Sequence, residues 1–260
     1  MTDISPVVPS LHGRVAVVTG AGRGIGRAIA LTLAAGGAAV AVNDRDAEPA
    51  AAVAATIERQ GGRARSYPIS VVDYHETRAM INDVMVGLGP VDILVSNAGV
   101  ASTGRSLLRT PVEEADQLMR LNAMAALVLC QAVLPGMRDR GTGDIVVVSS
   151  TAVDAMSAKS GPYSMAKAAL EAMAVTLQKE EGPKGVRVNI VAPGLIDTRL
   201  GRHVLGKTLK ARLGRPPTDH ELTSHLASPA EVADAVYRLV SAPRGRSAGA
   251  AGRRTVVGSA

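Results

Sequence analysis

The chain contains no phenylalanine and no tryptophan, and only four tyrosines among its 260 residues. A nucleic-acid surface built on stacked bases needs aromatic faces, so that class of partner is set aside despite a net charge of +6. The core has to be assembled from Ala, Val, Leu, Ile and Met, for which a hydrophobic content of 47 % is ample. A single cysteine, Cys130, rules out an intrachain disulfide. It lies in the apolar stretch 125–133 and reads as a small buried hydrophobe. No leader pattern opens the sequence, and no apolar run reaches the length that spans a bilayer. The expectation is therefore a cytoplasmic protein with no membrane partner. No metal site is expected.

What the chain does contain is alternation. Residues 1–12 read as a loose tail with prolines at 6 and 9. Apolar, strand-length runs then recur at 15–19, 38–43, 64–69, 91–96, 144–149 and 186–191, with a short last one at 255–257. Helix-length segments separate them, at 25–35, 47–60, 74–88, 111–137, 163–180 and 230–240, the first two stopped by glycine pairs. Strand–helix–strand units of this kind build a parallel sheet with right-handed crossovers. The fold class is α/β: one doubly wound Rossmann domain over 13–260, with about seven parallel strands and helices on both faces. Residues 195–227 are basic and read as irregular.

Between the first strand and first helix stands Thr19-Gly20-Ala21-Gly22-Arg23-Gly24-Ile25-Gly26. Glycines at 20, 24 and 26 let the backbone turn sharply and approach a ligand closely. The helix that follows offers unpaired N–H groups and a positive dipole end, which suit a pyrophosphate. Asp44 follows the second strand, about twenty residues on, where a carboxylate can accept both hydroxyls of an adenosine ribose and repel a 2′-phosphate. That favours NAD. Arg23 and Arg45 flank the same place and could grip a 2′-phosphate, which keeps NADP open.

Tyr163 and Lys167 are four residues apart, so on a helix a phenol and an ammonium share one face. A cation there favours the phenolate and would bring the phenol down from its usual pKa of about 10. Ser150 closes the fifth strand, thirteen residues before Tyr163, and its hydroxyl could hold a substrate carbonyl while Tyr163 passes it a proton. Asn122 lies in the long helix before that strand, where a buried amide could hold a water or a kinked backbone.

In these residues the chain resembles the short-chain dehydrogenase/reductase family in its single-domain form. The resemblance rests on Thr19-Gly20-x-x-x-Gly24-x-Gly26, Asn97-Ala98-Gly99, Asn122, Ser150, Tyr163-x-x-x-Lys167 and Pro193-Gly194, all in the family's order, and covers roughly residues 13–242. It implies an oxidoreductase that moves a hydride between a nicotinamide cofactor and a ketone or secondary alcohol. Tyr163 would then be the general acid/base. Lys167 would bind the nicotinamide ribose, Ser150 would polarise the carbonyl, and Asn122 would hold a proton-relaying water. Asn97-Ala98-Gly99 would wall the adenosine ribose, and Pro193, Gly194 and Thr198 would meet the nicotinamide end. A homodimer or homotetramer is implied as well, and residues 195–227 would form a substrate lid.

Three departures from the family pattern stand out. Ser70 occupies the place of an acidic residue that usually bonds the adenine, which leaves either a weaker adenine contact or Asp73 to reach in. Ser96 replaces a commoner asparagine. The segment 243–254 is basic and made of small residues where an apolar close is usual. The last feature motivates an alternative, a non-catalytic nucleotide-binding regulatory subunit. Arg199, Arg202, His203, Lys207, Lys210, Arg212 and Arg215 crowd the lid region. They suit an anionic substrate such as a phosphate-bearing thioester, or else form a solvated face. The absence of Phe and Trp gives the pocket an aliphatic lining that suits an aliphatic or alicyclic ketone.

Overall fold

Strand β1 (Val15–Val18) is buried along its whole length. Its side chains alternate between two separate hydrophobic clusters, Val15 and Val17 in one, Ala16 and Val18 in the other. That is the behaviour of a parallel strand covered on both faces, and it explains the unbroken apolar runs in the sequence. The computed structural model describes residues 10–243 and 253–258. After β1 come α1 (Gly24–Ala35), β2 (Ala39–Asn43), α2 (Ala47–Arg59), β3 (Ala64–Tyr67), α3 (Tyr74–Gly87) and β4 (Val91–Ser96). Next are α4 (Val112–Met119), α5 (Ala125–Asp139), β5 (Gly143–Val148), α6 (Ala152–Ala155), α7 (Gly161–Glu181) and β6 (Val186–Pro193). The chain closes with α8 (Arg199–Leu213), α9 (Asp219–Thr223), α10 (Pro229–Ser241) and β7 (Arg254–Val257).

The seven strands form one parallel sheet in the order β3-β2-β1-β4-β5-β6-β7. The strand order reverses between β1 and β4, the switch point at whose carboxyl ends sheets of this kind bind ligands. One face is packed by Ile29 and Leu33 of α1, Ile57 of α2 and Val232 and Val236 of α10. The other is packed by Ile81 and Val84 of α3, Leu129 and Met137 of α5 and Leu170 of α7. Tyr67 is the only aromatic ring in either cluster's buried set, and Cys130 is fully buried in the second. The expected aliphatic core is therefore what fills the domain.

Four expectations need correction. The tail is shorter than 1–12: Leu11 is fully buried, its N–H donates to the Gly36 carbonyl at 2.8 Å, and it packs in the α1 cluster. Residues 195–227 are not irregular, because they hold α8 and α9. Thr198 caps α8 and Thr218 forms a reciprocal cap with Glu221 on α9. The sequence hid α8 because only Gly201, Leu205 and Leu209 are buried, a thin stripe among basic residues. The long helix is also not uniform, since a π turn at Arg120–Met124 joins α4 to α5. Finally, the continuous helix Val112–Asp139 has the length and apolarity to cross a bilayer, which the sequence reading did not expect. In the fold its apolar face is spent on the sheet, with 56 % of its most apolar stretch buried. Of the basic segment 243–254, residues 244–252 lie outside the described residues.

Candidate active site

The glycine turn comes first. Gly20 and Gly24 have φ of +61° and +53°, values that favour glycine. A Cβ on Gly26 would stand 2.2 Å from the Gly20 carbonyl oxygen, so α1 can meet the turn only with hydrogen at that position. Arg23, at the N-cap of α1, makes no side-chain capping bond. The first amides of this twelve-residue helix are thus left for a ligand, and the cradle fits a pyrophosphate. Thr19 and Asn97 stitch the turn to β4. The Asn97 amide donates to the carbonyls of Thr19 (2.8 Å) and Gly20 (3.2 Å). The Thr19 hydroxyl accepts from the N–H groups of Asn97 and Ala98. Ile25 follows on the first turn of α1, partly buried.

Asp44 lies at the end of β2, 7 % exposed. One carboxylate oxygen accepts from the Gly22 N–H at 2.9 Å and the other from the Asp46 N–H at 3.2 Å. The carboxylate is held against the glycine turn, where an adenosine ribose would lie. Arg23 and Arg45 both pair with Asp46. Asp73 is used differently from the expectation. One of its oxygens accepts from the N–H groups of His75 and Glu76 (3.1 and 3.0 Å), so it caps α3.

The reacting groups meet where β5 ends and α7 begins. Lys167 is 4 % exposed, and its ammonium donates to the Val148 carbonyl at 2.8 Å. Its nitrogen lies 5.9 Å from the centroid of the Tyr163 ring, within cation–π reach. The Ser150 hydroxyl accepts from the Ala152 N–H at 3.2 Å and lies close enough to the Tyr163 phenol to favour its ionised form. Asn122 sits in the π turn, 2 % exposed. Its amide donates to the carbonyls of Val100 and Leu118, both at 3.1 Å, and its oxygen accepts from the Val100 N–H at 3.3 Å. The kinked-backbone role is thereby visible: Asn122 ties the irregular turn to the loop after β4. A Cβ on Gly99 would lie 2.5 Å from the Asn122 oxygen and 3.4 Å from the Lys167 nitrogen, so only glycine fits between them.

The electrostatics differ from the expectation in one respect. Burial pushes the Tyr163 phenol up from its usual value, and the nearby Ser150 hydroxyl only partly offsets that. Burial also pushes the Lys167 ammonium down to about 8, with the Glu171 carboxylate acting in the opposite sense. In the protein alone, then, the lysine does not produce a phenolate. At neutral pH the pair stands as a neutral phenol beside a mostly charged amine.

On the far side, Pro193 ends β6 and its carbonyl accepts from the Thr151 N–H at 2.9 Å. The Gly194 N–H donates to Val257 of β7 at 2.8 Å. The Thr198 methyl would be 3.1 Å from a Cβ on Gly24, so the start of α8 touches the glycine turn. Direct contacts thus join Gly20 to Asn97 and Ala98, Gly22 to Asp44, Gly24 to Thr198, and Gly99 to Asn122 and Lys167. The Val148 carbonyl that holds Lys167 and the Val100 backbone that holds Asn122 were missed, because main-chain atoms leave no letter in a sequence.

The short chain dehydrogenase family profile matches residues 14–207. The chain is 32 % identical over 231 residues to the 7alpha-hydroxysteroid dehydrogenase of Escherichia coli strain K12, covering 89 % of this chain and 88 % of that one. It is 32 % identical over 232 residues to the 3-oxoacyl-[acyl-carrier-protein] reductase of the same strain, covering 89 % and 91 %. A solved 7alpha-hydroxysteroid dehydrogenase, complexed with NADH and 7-oxo glycochenodeoxycholic acid, superposes with a TM-score of 0.84 at 29 % identity, over 96 % of this chain and 95 % of that one. With such relatives the non-catalytic alternative falls away. The chain belongs to the short chain dehydrogenase family and is an oxidoreductase that moves a hydride between a nicotinamide cofactor and a carbon bearing a hydroxyl or keto group.

Proposed function

We propose that the protein uses NAD rather than NADP to interconvert a secondary alcohol and a ketone on an aliphatic or alicyclic substrate, with Tyr163 giving and taking the proton. One observation carries the reading: the Tyr163 phenol is placed beside both the Ser150 hydroxyl and the Lys167 ammonium. A phenol kept protonated by burial suits donation to a ketone oxygen. Ser150 orients that oxygen, and Lys167, anchored on Val148, sets a positive charge beside the negative charge that develops there. The nicotinamide, when bound, supplies or accepts the hydride. Gly20, Gly24, Ile25 and Gly26 would hold its pyrophosphate, Asp44 its adenosine ribose, and Lys167, Gly194 and Thr198 its nicotinamide half.

The preference for NAD is supported by the buried Asp44 carboxylate and by the pairing of Arg23 and Arg45 with Asp46. A 2′-phosphate would meet Asp44 and would have to draw both arginines away. Support for an anionic group on the substrate comes from cations in the lid and in the loop after β4. In the lid, Arg202 is engaged by Asp197 and Asp219, and Arg215 by Glu221, while Lys207 and Lys210 line a cavity between them. A cavity of about 500 Å³ lined by Gly104, Arg105, Ser106, Arg109 and Lys159 adds two more, Arg109 and Lys159, its Arg105 being paired with Glu114. Relatives named for a hydroxysteroid and for a 3-oxoacyl group support the aliphatic or alicyclic body. The exposed apolar side chains Val112, Met124, Met165 and Val175, on and between α4, α5 and α7, favour a homodimer or homotetramer.

Fluorescence titration with NADH and NADPH, followed by a panel of ketones offered as acids and as methyl esters, tests the reading. Tighter NADPH binding would remove the NAD assignment. Full turnover in Tyr163→Phe would remove the acid/base assignment, and equal KM values for acids and esters would remove the anionic group.

A further inference from the structure

The edge strand β7 touches more of the site than its four residues suggest. Arg254 extends from it to two carboxylates. Its Nη2 donates to Asp154 at 2.7 Å, and its Nε lies 3.0 Å from both oxygens of Glu171. Asp154 is on α6, four residues beyond Ser150, and Glu171 is on α7, one turn beyond Lys167. Further along, the Val257 carbonyl accepts from the Gly194 N–H. A Cβ on Gly258 would lie 3.0 Å from Ala227 and 3.6 Å from Ile196, the two residues that bridge the ends of the 195–227 segment. Only Val257 of the strand is buried, so side-chain packing contributes little to its seating. Pairing to β6 and the Arg254 grip remain to hold it.

We propose that Arg254 is a positioning residue: by holding Asp154 and Glu171 at once, it fixes the helix after Ser150 against the helix that carries Tyr163 and Lys167, and so makes the C-terminal strand part of the catalytic apparatus. The inference rests on the roles given above to those three residues. Ser150 and Tyr163 come from different elements, Ser150 two residues before α6 and Tyr163 on α7, so their approach depends on how those helices are set against each other. Arg254 is the cation that joins carboxylates on those two helices. It also acts on charge. Glu171 is the carboxylate whose field reaches Lys167, and Arg254 neutralises it from behind. The other groups around the Lys167 nitrogen are the Tyr163 phenol on the same helix, the Val148 carbonyl from β5 and the uncharged Gly99–Asn122 contact. With Arg254 gone, Glu171 would hold the ammonium more strongly.

Arg254→Gln and Arg254→Lys test this. In Arg254→Gln, kcat is expected to fall about tenfold to a hundredfold, as misplaced reacting groups do. NADH affinity should stay within about twofold, because the pyrophosphate cradle is elsewhere. The NMR titration of the Lys167 side chain, assigned by its absence in Lys167→Met, should move upward by about half a pH unit. Arg254→Lys should recover most of the kcat and the original titration. A glutamine variant with wild-type kcat and an unmoved Lys167 midpoint overturns the proposal. So does a lysine variant as impaired as the glutamine one with the same drop in melting temperature. Should Arg254→Gln not fold, Asp154→Asn decides: a lowered kcat supports the proposal and an unchanged kcat overturns it. The NMR and NADH titrations need no substrate, so they remain decisive even if no ketone in the panel turns over, an outcome that would count against the functional reading alone.

Discussion

Replacing Lys167 with methionine is expected to stabilise the protein while removing its turnover. The amine is 4 % exposed and its ammonium form is pushed down from 10.5 to about 8, chiefly by burial. At roughly 1.4 kcal/mol per pH unit, the folded state carries a cost of about 3 kcal/mol at neutral pH for keeping that charge inside. Methionine fills a similar volume without charge. It forfeits the hydrogen bond to Val148, worth about 1 kcal/mol, and leaves that carbonyl short of a donor. A net gain of about 1–2 kcal/mol remains, or about 2–8 °C in melting temperature for a domain of this size. The sign follows from the direction of the shift. The native lysine releases its proton at a lower pH than the unfolded one, so between about 8 and 10.5 the unfolded state binds more protons and stability rises with pH. By pH of about 9.5 the wild type should recover about 2 kcal/mol, and the advantage of Lys167→Met should vanish or reverse. Thermal melts of both proteins at the two pH values measure the difference directly. A methionine variant less stable than wild type at neutral pH, or a gap that does not change with pH, would refute the reasoning.

Three other outcomes follow from particular contacts. With no tryptophan and four tyrosines, tyrosinate absorbance in wild type minus Tyr163→Phe isolates one phenol, and it should titrate later than free tyrosine; an earlier titration would contradict the burial argument. Gly26→Ala puts a methyl 2.2 Å from the Gly20 carbonyl oxygen, so NADH affinity measured by fluorescence should fall at least about tenfold. Asp144→Ala removes a fully buried carboxylate that faces both Arg14 and Arg187 at the opposite end of the sheet. It should cost about 3–5 kcal/mol and lower the melting temperature by about 6–20 °C, yet leave kcat unchanged at temperatures where the variant is folded.

The strands were legible because a sheet covered on both faces demands unbroken apolar runs, and the runs in β1, β4 and β5 can be nothing else in a chain of this rhythm. The site was legible where function needs a particular side chain at a particular spacing, as with Tyr163 and Lys167 or the glycines of the first turn. It was illegible where one residue type serves two purposes. Asp73 had the right charge for an adenine contact, but a carboxylate just before a helix is drawn to that helix's own free amides. Helix α8 was hidden for a related reason, its three buried positions being outnumbered by charged ones. The direction of the Tyr163 shift could not be read either, since a spacing of four residues reports proximity and says nothing of how far water is excluded.

The π turn at Arg120–Met124 inserts one surplus residue into a continuous helix, and that surplus works as a phase shifter. Each residue of an α-helix advances the azimuth by about 100°, so the stretch before the insertion and the stretch after it point their apolar stripes in different directions. The first is thereby free to lie along α7, while the second lies along β4 and α3. Deleting a single residue from the turn would re-phase the two halves, and one of them would have to give up its neighbour. A defect by the rules of helix geometry is thus the joint that lets one rod serve both the catalytic helix and the sheet.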